Sequence, residues 1–219
     1  MIDLRDVRKT YHARSGPVDV LNGINLQVAK GDKLGIVGRN GAGKSTLIRL
    51  ISGIERQTSG TIERTMRISW PLAFTGAFQG TLTGVDNVRF ICRIYNKAYE
   101  DVIDFVEDFS QLGRFLKEPM KIYSSGMRAR LAFAVSLMID FDCYLIDEVV
   151  AVGDARFQTR SQEELFERRK DRALILVSHD SHYIRDHCDR ACVLAEGQLH
   201  HFDTVQDALD FHDRAMVCN

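Results

Sequence analysis

The run Gly38-Arg39-Asn40-Gly41-Ala42-Gly43-Lys44-Ser45 fits the pattern G-x-x-x-x-G-K-[ST]. Its glycines let the backbone curl until successive N–H groups face one point, an arrangement that suits a phosphate group. Lys44 has the reach and charge for the β- and γ-phosphates of a nucleoside triphosphate, and the Ser45 hydroxyl is a hard oxygen donor for Mg2+. Gly38, Asn40, Gly41, Ala42, Gly43, Lys44, Ser45 and Thr46 are therefore the candidate phosphate-binding set. A glycine-rich turn with an incidental lysine would carry the same letters. Here a short apolar stretch at 33–37 precedes the loop, and Leu47, Ile48 and Ile51 follow it at helical spacing. A helix starting near Lys44 adds the positive end of its dipole. The loop alone does not choose among GTPases, kinases and ATPases. Asn96-Lys97-Ala98-Tyr99 begins like a guanine-reading N-K-x-D motif but ends in Tyr, so the carboxylate for guanine is missing and the segment reads as a turn between helices.

The elements that must position this loop follow from periodicity. Residues 2–11 and 18–28 alternate apolar and polar as half-buried strands do, with turns at 15–17 and 30–32. A helix is predicted over 45–52, with Gly53 as its stop, and strand material over 61–70. Helix-like spacing runs from about 85 to 114, and 127–139 is a further helix. Residues 142–146 form a short apolar strand ending in two acids. A charged, solvated helix is expected over 163–170, a buried strand over 173–178, a hairpin over 191–202 around Glu196-Gly197, and a closing helix over 204–212. Apolar strands alternating with helices predict an α/β fold with a largely parallel central sheet.

Composition bounds the function. The chain has 219 residues, enough for a sizeable core at 45% hydrophobic content, and only 3 prolines with 16 glycines, which argues against long disordered stretches. Lys plus Arg is 29 and Asp plus Glu is 30, for a net charge of −1, so the chain lacks the basic excess of a protein that holds nucleic acid electrostatically. Five scattered cysteines make a poor disulfide framework and point to a reducing compartment. Cys188 and Cys192 lie near His182 and His187, but no second cysteine pair stands at zinc-site spacing. The charged, alternating start lacks a signal peptide's apolar stretch, and no run approaches the roughly 18 apolar residues of a spanning helix. A soluble cytoplasmic protein is expected, one that could still lie against a membrane through a partner.

Further motifs follow in order. They are Tyr123-Ser124-Ser125-Gly126-Met127-Arg128-Ala129-Arg130-Leu131, Leu145-Ile146-Asp147-Glu148, Asp154, and Val177-Ser178-His179-Asp180. With the phosphate loop, this set resembles the nucleotide-binding subunit of ATP-binding-cassette (ABC) transporters over essentially the whole chain. The resemblance implies a P-loop NTPase core with a parallel central sheet, an N-terminal antiparallel β-subdomain and a helical subdomain at about 84–131, all in one domain spanning 1–219. It implies ATP and Mg2+. Lys44, Glu148 and His179 become the catalytic residues, with Glu148 as general base on the attacking water and His179 as the switch histidine on the γ-phosphate. Asp147 joins Ser45 at the metal, commonly through water. In isolation the two acids would read as a helix start or a solvated turn, and His179 as a capped core residue. Asp154 matches the aspartate that helps join two subunits.

Ser124, Ser125 and Gly126 match the signature loop, usually L-S-G-G-Q, with a helix N-terminus expected at Met127. Tyr123, Ser125 and Met127 depart from that form. In this family the loop covers the γ-phosphate held by the opposite subunit, so the resemblance implies a homodimer. Tyr11, after Val7-Arg8-Lys9-Thr10, matches the aromatic that stacks on adenine; the same residue would serve as a strand-end core tyrosine. The family's Q-loop glutamine is replaced at its usual spacing by Phe74. Gln79, four before Thr83, is either a shifted Mg2+ and water contact or an unrelated loop amide.

Asp147-Glu148-Val149-Val150-Ala151-Val152-Gly153-Asp154 stands where the family commonly has D-E-P-T-S-A-L-D. This variant is similar to ATPases that export polysaccharides, namely capsule, O-antigen and teichoic acid. The short chain, with no carbohydrate-binding extension expected, resembles the capsule type. That branch implies two copies of a multi-span membrane permease, a lipid-linked polysaccharide as cargo, no nucleic acid, and a peripheral place on the cytoplasmic face of the inner membrane. It places the coupling surface at 74–86 and the following insert, where Phe74, Phe78, Phe90 and Tyr95 could equally be core. Other cargoes, import included, remain compatible with the motifs. A soluble ABC ATPase acting on nucleic acid or the ribosome usually needs paired cassettes or a long coiled-coil insertion. A regulator without turnover would not need both Glu148 and His179.

Overall fold

The structure is a computed structural model and describes residues 1–147, 153–178 and 180–217. In chain order its elements are β1 (Ile2–Ala13), β2 (Gly16–Val28), β3 (Lys33–Val37), α1 (Lys44–Ser52), β4 (Ser59–Arg64), β5 (Ile68–Pro71), α2 (Gly84–Ile94), α3 (Ile103–Ser110), α4 (Ser125–Met138), β6 (Cys143–Asp147), α5 (Ala155–Gln162), β7 (Ala173–Val177), α6 (Ser181–His187), β8 (Arg190–Ala195), β9 (Gln198–His201) and α7 (Val205–Val217). They fall into two compact units. The first comprises Met1–Pro71, Phe141–Glu148 and Arg169–Asn219; the second comprises Leu72–Asp140 and Val149–Arg168.

The first unit contains two sheets. One is antiparallel, in the order β2-β1-β4; the other has six strands in the order β5-β6-β7-β3-β8-β9, parallel except for β9. The interior strands of the larger sheet read as continuous apolar runs, such as Ala-Leu-Ile-Leu-Val in β7, because both faces are covered. β8 turns into β9 through Glu196 and Gly197, both at positive φ, the requirement of a tight two-residue hairpin. Ile2, Leu4, Ile24 and Leu26 of the small sheet, Leu34, Ile36, Leu145, Ile175 and Leu194 of the large one, and Leu47, Ile48 and Ile51 of α1 join one buried cluster. This burial is what fixes α1, and with it the loop at its start.

The expected strand over 61–70 is in fact two strands in different sheets. β4 lies beside β1 and β5 beside β6, with the break at Met66 and Arg67. The Arg67 N–H donates to Asp142 Oδ2 at 2.9 Å, which ties the break to the entry of β6.

The second unit has an aromatic core. Phe109 of α3 stacks on Phe133 of α4, with centroids 5.9 Å apart, and Phe157 of α5 meets both edge-on at 5.2 and 6.0 Å. The Arg160 guanidinium lies 4.9 Å from the Phe109 centroid and pairs with Asp108. The charged helix expected over 163–170 is corrected. α5 ends at Gln162 and widens into a π-turn over Glu163–Glu167 that buries Glu164 and Leu165. Glu163, Glu167, Arg168 and Lys170 are exposed as expected, but Leu165 is buried, and buried Glu164 keeps a partner in Arg168 at 3.1 Å.

Candidate nucleotide site

The phosphate loop leaves the C-terminal end of β3, the edge at which open α/β sheets bind ligands. Gly38 is required there, since a Cβ would lie 2.5 Å from the Leu194 carbonyl oxygen of β8. Gly41 and Gly43 adopt φ of 83° and 102°, a region that disfavours side chains. The slip in register between Lys9 and Thr10 bulges β2 at Val20, and the side chains of Val20 and Leu21 both close on Gly43. α1 then starts at Lys44 without a side-chain cap, so the first-turn N–H groups remain available to an anion.

The result is a cavity of about 540 Å3 lined by Val20, Asn40, Gly41, Gly43, Lys44, Ser45 and Thr46. That volume lies in the range of small-ligand sites. Lys44 is buried and its Nζ donates to the carbonyls of Gly38 at 2.7 Å and Arg39 at 3.1 Å. Ser45 stands exposed at the helix start. Asp147 ends β6 opposite Val177 of β7, whose other neighbour is Ile36 of β3. Asp147 is thus two strands from the loop, roughly 10 Å across the sheet. A serine hydroxyl and a carboxylate are oxygen donors that fit Mg2+, which keeps several waters and needs few protein ligands. Among the described residues there is no group of three or more His, Cys, Asp or Glu side chains that could hold a metal ion. Glu148 and His179 lie outside the described residues. Those flanking His179 are ordered for a helix start, with the Asp180 carboxylate accepting the N–H groups of His182 and Tyr183.

Tyr11 pairs with Val18, two residues along β2 from the Val20 wall of the cavity. Its hydroxyl donates to Glu55 Oε2 at 2.8 Å. Behind the loop, Arg39, Asn40, Val193, Leu194, Glu196 and His212 line a second cavity of about 380 Å3. His212 is buried there, and burial pushes its pKa below the ordinary 6.5.

In the second unit α4 begins at Ser125, two residues before the expected start. Ser124 is its cap, and its Oγ accepts the Met127 N–H at 3.2 Å. Ser125 and Gly126 therefore lie in the first helical turn, not in a free loop. Asp154 caps α5 by accepting the Phe157 N–H at 3.0 Å, and Arg130 donates to it at 2.6 Å. The Phe157 N–H, together with Arg130, holds its carboxyl below the usual range. Gln79 is exposed. Its backbone is clamped by Asn87, whose Oδ1 accepts the Gln79 N–H at 2.9 Å and whose Nδ2 donates to the Gln79 carbonyl at 3.2 Å. Asn87 is buried on α2 and carried no motif signal, as was true of Val20 and Glu55.

The ABC transporter family model matches residues 21–151. This chain belongs to the ABC transporter family. Nucleotide binding and the ATPase class come with that membership. The ABC chain is 59% identical over 213 residues to the ATP-binding protein BexA of Haemophilus influenzae, covering 97% of this chain and 98% of that one. It is 58% identical to the capsule polysaccharide export ATP-binding protein CtrD of Neisseria meningitidis serogroup B, covering 97% and 99%. Among solved structures, an ATP-binding subunit of an ABC transporter superposes with a TM-score of 0.84 at 21% identity over 99% of both chains. No helix among the described residues is long and apolar enough to cross a membrane.

Proposed function

We propose that this ABC chain is the ATP-hydrolysing subunit of an exporter of capsular polysaccharide, working as a homodimer beneath two copies of a membrane permease. The observation that carries the cargo is the likeness, at 58% and over nearly full length, to a protein named for capsule polysaccharide export. In this reading the triphosphate lies on Gly38, Asn40, Gly41, Ala42, Gly43, Lys44, Ser45 and Thr46 of one copy, with the base against Tyr11. Ser124, Ser125 and Gly126 of the other copy close over the γ-phosphate, and Asp154 sits at the joint. Ser45 and Asp147 would hold Mg2+, and the ion would neutralise charge on the β- and γ-phosphates. Glu148 accepts a proton from water as the water attacks the γ-phosphorus, and His179 orients that phosphate. The bond from the γ-phosphorus to the bridging oxygen breaks, ADP and phosphate leave, and the two copies part.

The permease side is supported by exposed apolar residues of the second unit. Phe74, Leu82, Phe90 and Ile94 are 42, 39, 49 and 58% exposed, and Phe90 and Ile94, four apart on α2, share one helix face that would suit an apolar partner. The test is Glu148→Gln. It should keep MgATP affinity, lose at least about a hundredfold of phosphate release, and run as a dimer in MgATP by light scattering. Unimpaired turnover would remove Glu148 from the base role, and a strictly monomeric variant with permease present would sink the shared site. In cells lacking the chain, capsular glycan should accumulate inside; normal surface capsule would overturn the cargo.

A further inference from the structure

Tyr11 is tied into a charged cluster with Glu55, Lys9 and Arg49. Its hydroxyl donates to Glu55 Oε2 at 2.8 Å, and Lys9 Nζ lies 2.9 Å from Glu55 Oε1 and 4.9 Å from the Tyr11 ring centroid. Lys9 also donates to the Arg56 carbonyl at 2.8 Å, Arg49 Nε stands 3.7 Å from Glu55 Oε2, and the Glu55 N–H donates to the Arg49 carbonyl at 3.2 Å. The Lys9 and Glu55 side chains are only 13 and 24% exposed, so this pair is far less solvated than a surface ion pair. Glu55 thereby joins the end of β1 to the turn that follows α1. The same helix opens, at Lys44, onto the phosphate cavity.

The geometry points to Glu55, backed by Lys9, as a positioning residue for the nucleoside end of the ligand. It holds the Tyr11 ring at a set offset from the phosphate loop. Val18, the strand partner of Tyr11, is two residues from the Val20 wall, about 7 Å along the strand, and Tyr11 is one strand spacing of about 5 Å to the side. That offset is what a base needs when its triphosphate occupies the cavity. A ring already tethered loses little freedom when the base arrives, and this preorganisation corresponds to roughly two- to tenfold in affinity. The inference rests on the proposed stacking role of Tyr11.

The experiment measures the affinities of MgATP and of magnesium inorganic triphosphate for the wild type and for Glu55→Ala, Glu55→Gln, Tyr11→Phe and Tyr11→Ala. Tyr11→Ala should weaken ATP by roughly tenfold or more and leave triphosphate unchanged. Glu55→Ala and Tyr11→Phe should each weaken ATP about two- to tenfold, again sparing triphosphate. Their combination should be no worse than either alone, since both remove one hydrogen bond. Glu55→Gln keeps an acceptor for the hydroxyl and should recover part of the loss. If Glu55→Ala weakens both ligands equally, Glu55 acts through α1 and the inference is overturned. It is also overturned if Tyr11→Ala weakens ATP while Glu55→Ala does not. Should Tyr11→Ala leave the ratio of the two affinities unchanged, the stacking role itself fails and takes the inference with it.

Discussion

Lys44 is a buried cation whose ammonium is held by two carbonyls of its own loop, Gly38 and Arg39. Carbonyl oxygens carry no formal charge, whereas the oxygens of a triphosphate arriving in the cavity would be charged acceptors, the stronger kind of partner for an ammonium. Lys44→Ala should therefore weaken MgATP by about ten- to a hundredfold, the range of a hydrogen bond to a charged group. Titration calorimetry checks this, and an affinity within a factor of two of wild type would exclude contact between Lys44 and the phosphates. Asp154 shows a different economy at the same scale. A carboxylate expected to face a second subunit is already engaged by the Phe157 N–H and by Arg130. Its second role at a dimer joint would be to present this fixed cap, not a free side chain.

At the scale of elements, α4 carries a glycine that its own chain does not need. A Cβ on Gly126 would meet nothing closer than Ser124 Oγ at 3.9 Å, an ordinary contact. Glycine in a helix costs up to about 1 kcal/mol relative to alanine, so the position is weak locally without a local reason. Close approach of a ligand or partner to the helix start supplies one. Gly126→Ala is expected to keep or raise the melting temperature by a few degrees while cutting ATP turnover by roughly tenfold or more, as loss of an oriented backbone contact does. Differential scanning calorimetry and a phosphate-release assay decide. Full turnover with raised stability would show that nothing approaches Gly126. Gly38 is the contrasting case, since its Cβ would collide with the Leu194 carbonyl and the fold itself requires it.

For the whole molecule, two groups of side chains set how stability follows pH. Burial lowers the pKa of His212 and of His187 from 6.5. The unfolded chain then binds more protons than the folded one between those lowered values and 6.5, so stability falls as pH drops through that window and levels off below it. Desolvation raises the Glu55 pKa, but the Lys9 and Tyr11 hydrogen bonds outweigh it and bring the carboxyl below 4.5; the Arg67 N–H brings that of Asp142 below 3.8. Stability from these carboxylates is present above their unfolded pKa and is lost as pH falls through the folded values. Urea midpoints measured from pH 8 down to pH 3 should show two declines, one beginning near 6.5 and one below about 4.5. His212→Asn should flatten the upper decline. An unaltered upper decline in that variant would show that His212 does not titrate differently on folding.

Much of this molecule was legible from residue types alone. The phosphate loop, the strand before it, the helix behind it, the hairpin at Glu196-Gly197 and the alternation of strands and helices are all local properties. They depend on backbone freedom at glycine and on the period of apolar residues, which a sequence displays directly. What the sequence left open were matters of pairing between distant segments. The stretch 61–70 divides between two sheets because β1 and β6 each claim half of it. The π-turn at Glu163–Glu167 buries Leu165 within a run of charged residues, which the charge pattern alone did not display. The bulge at Val20, the Asn87 clamp on Gln79 and the Glu55 tether on Tyr11 join residues 8 to 44 positions apart or depend on strand register. No spacing rule encodes such contacts; they form only when burial of the shared core brings the segments together.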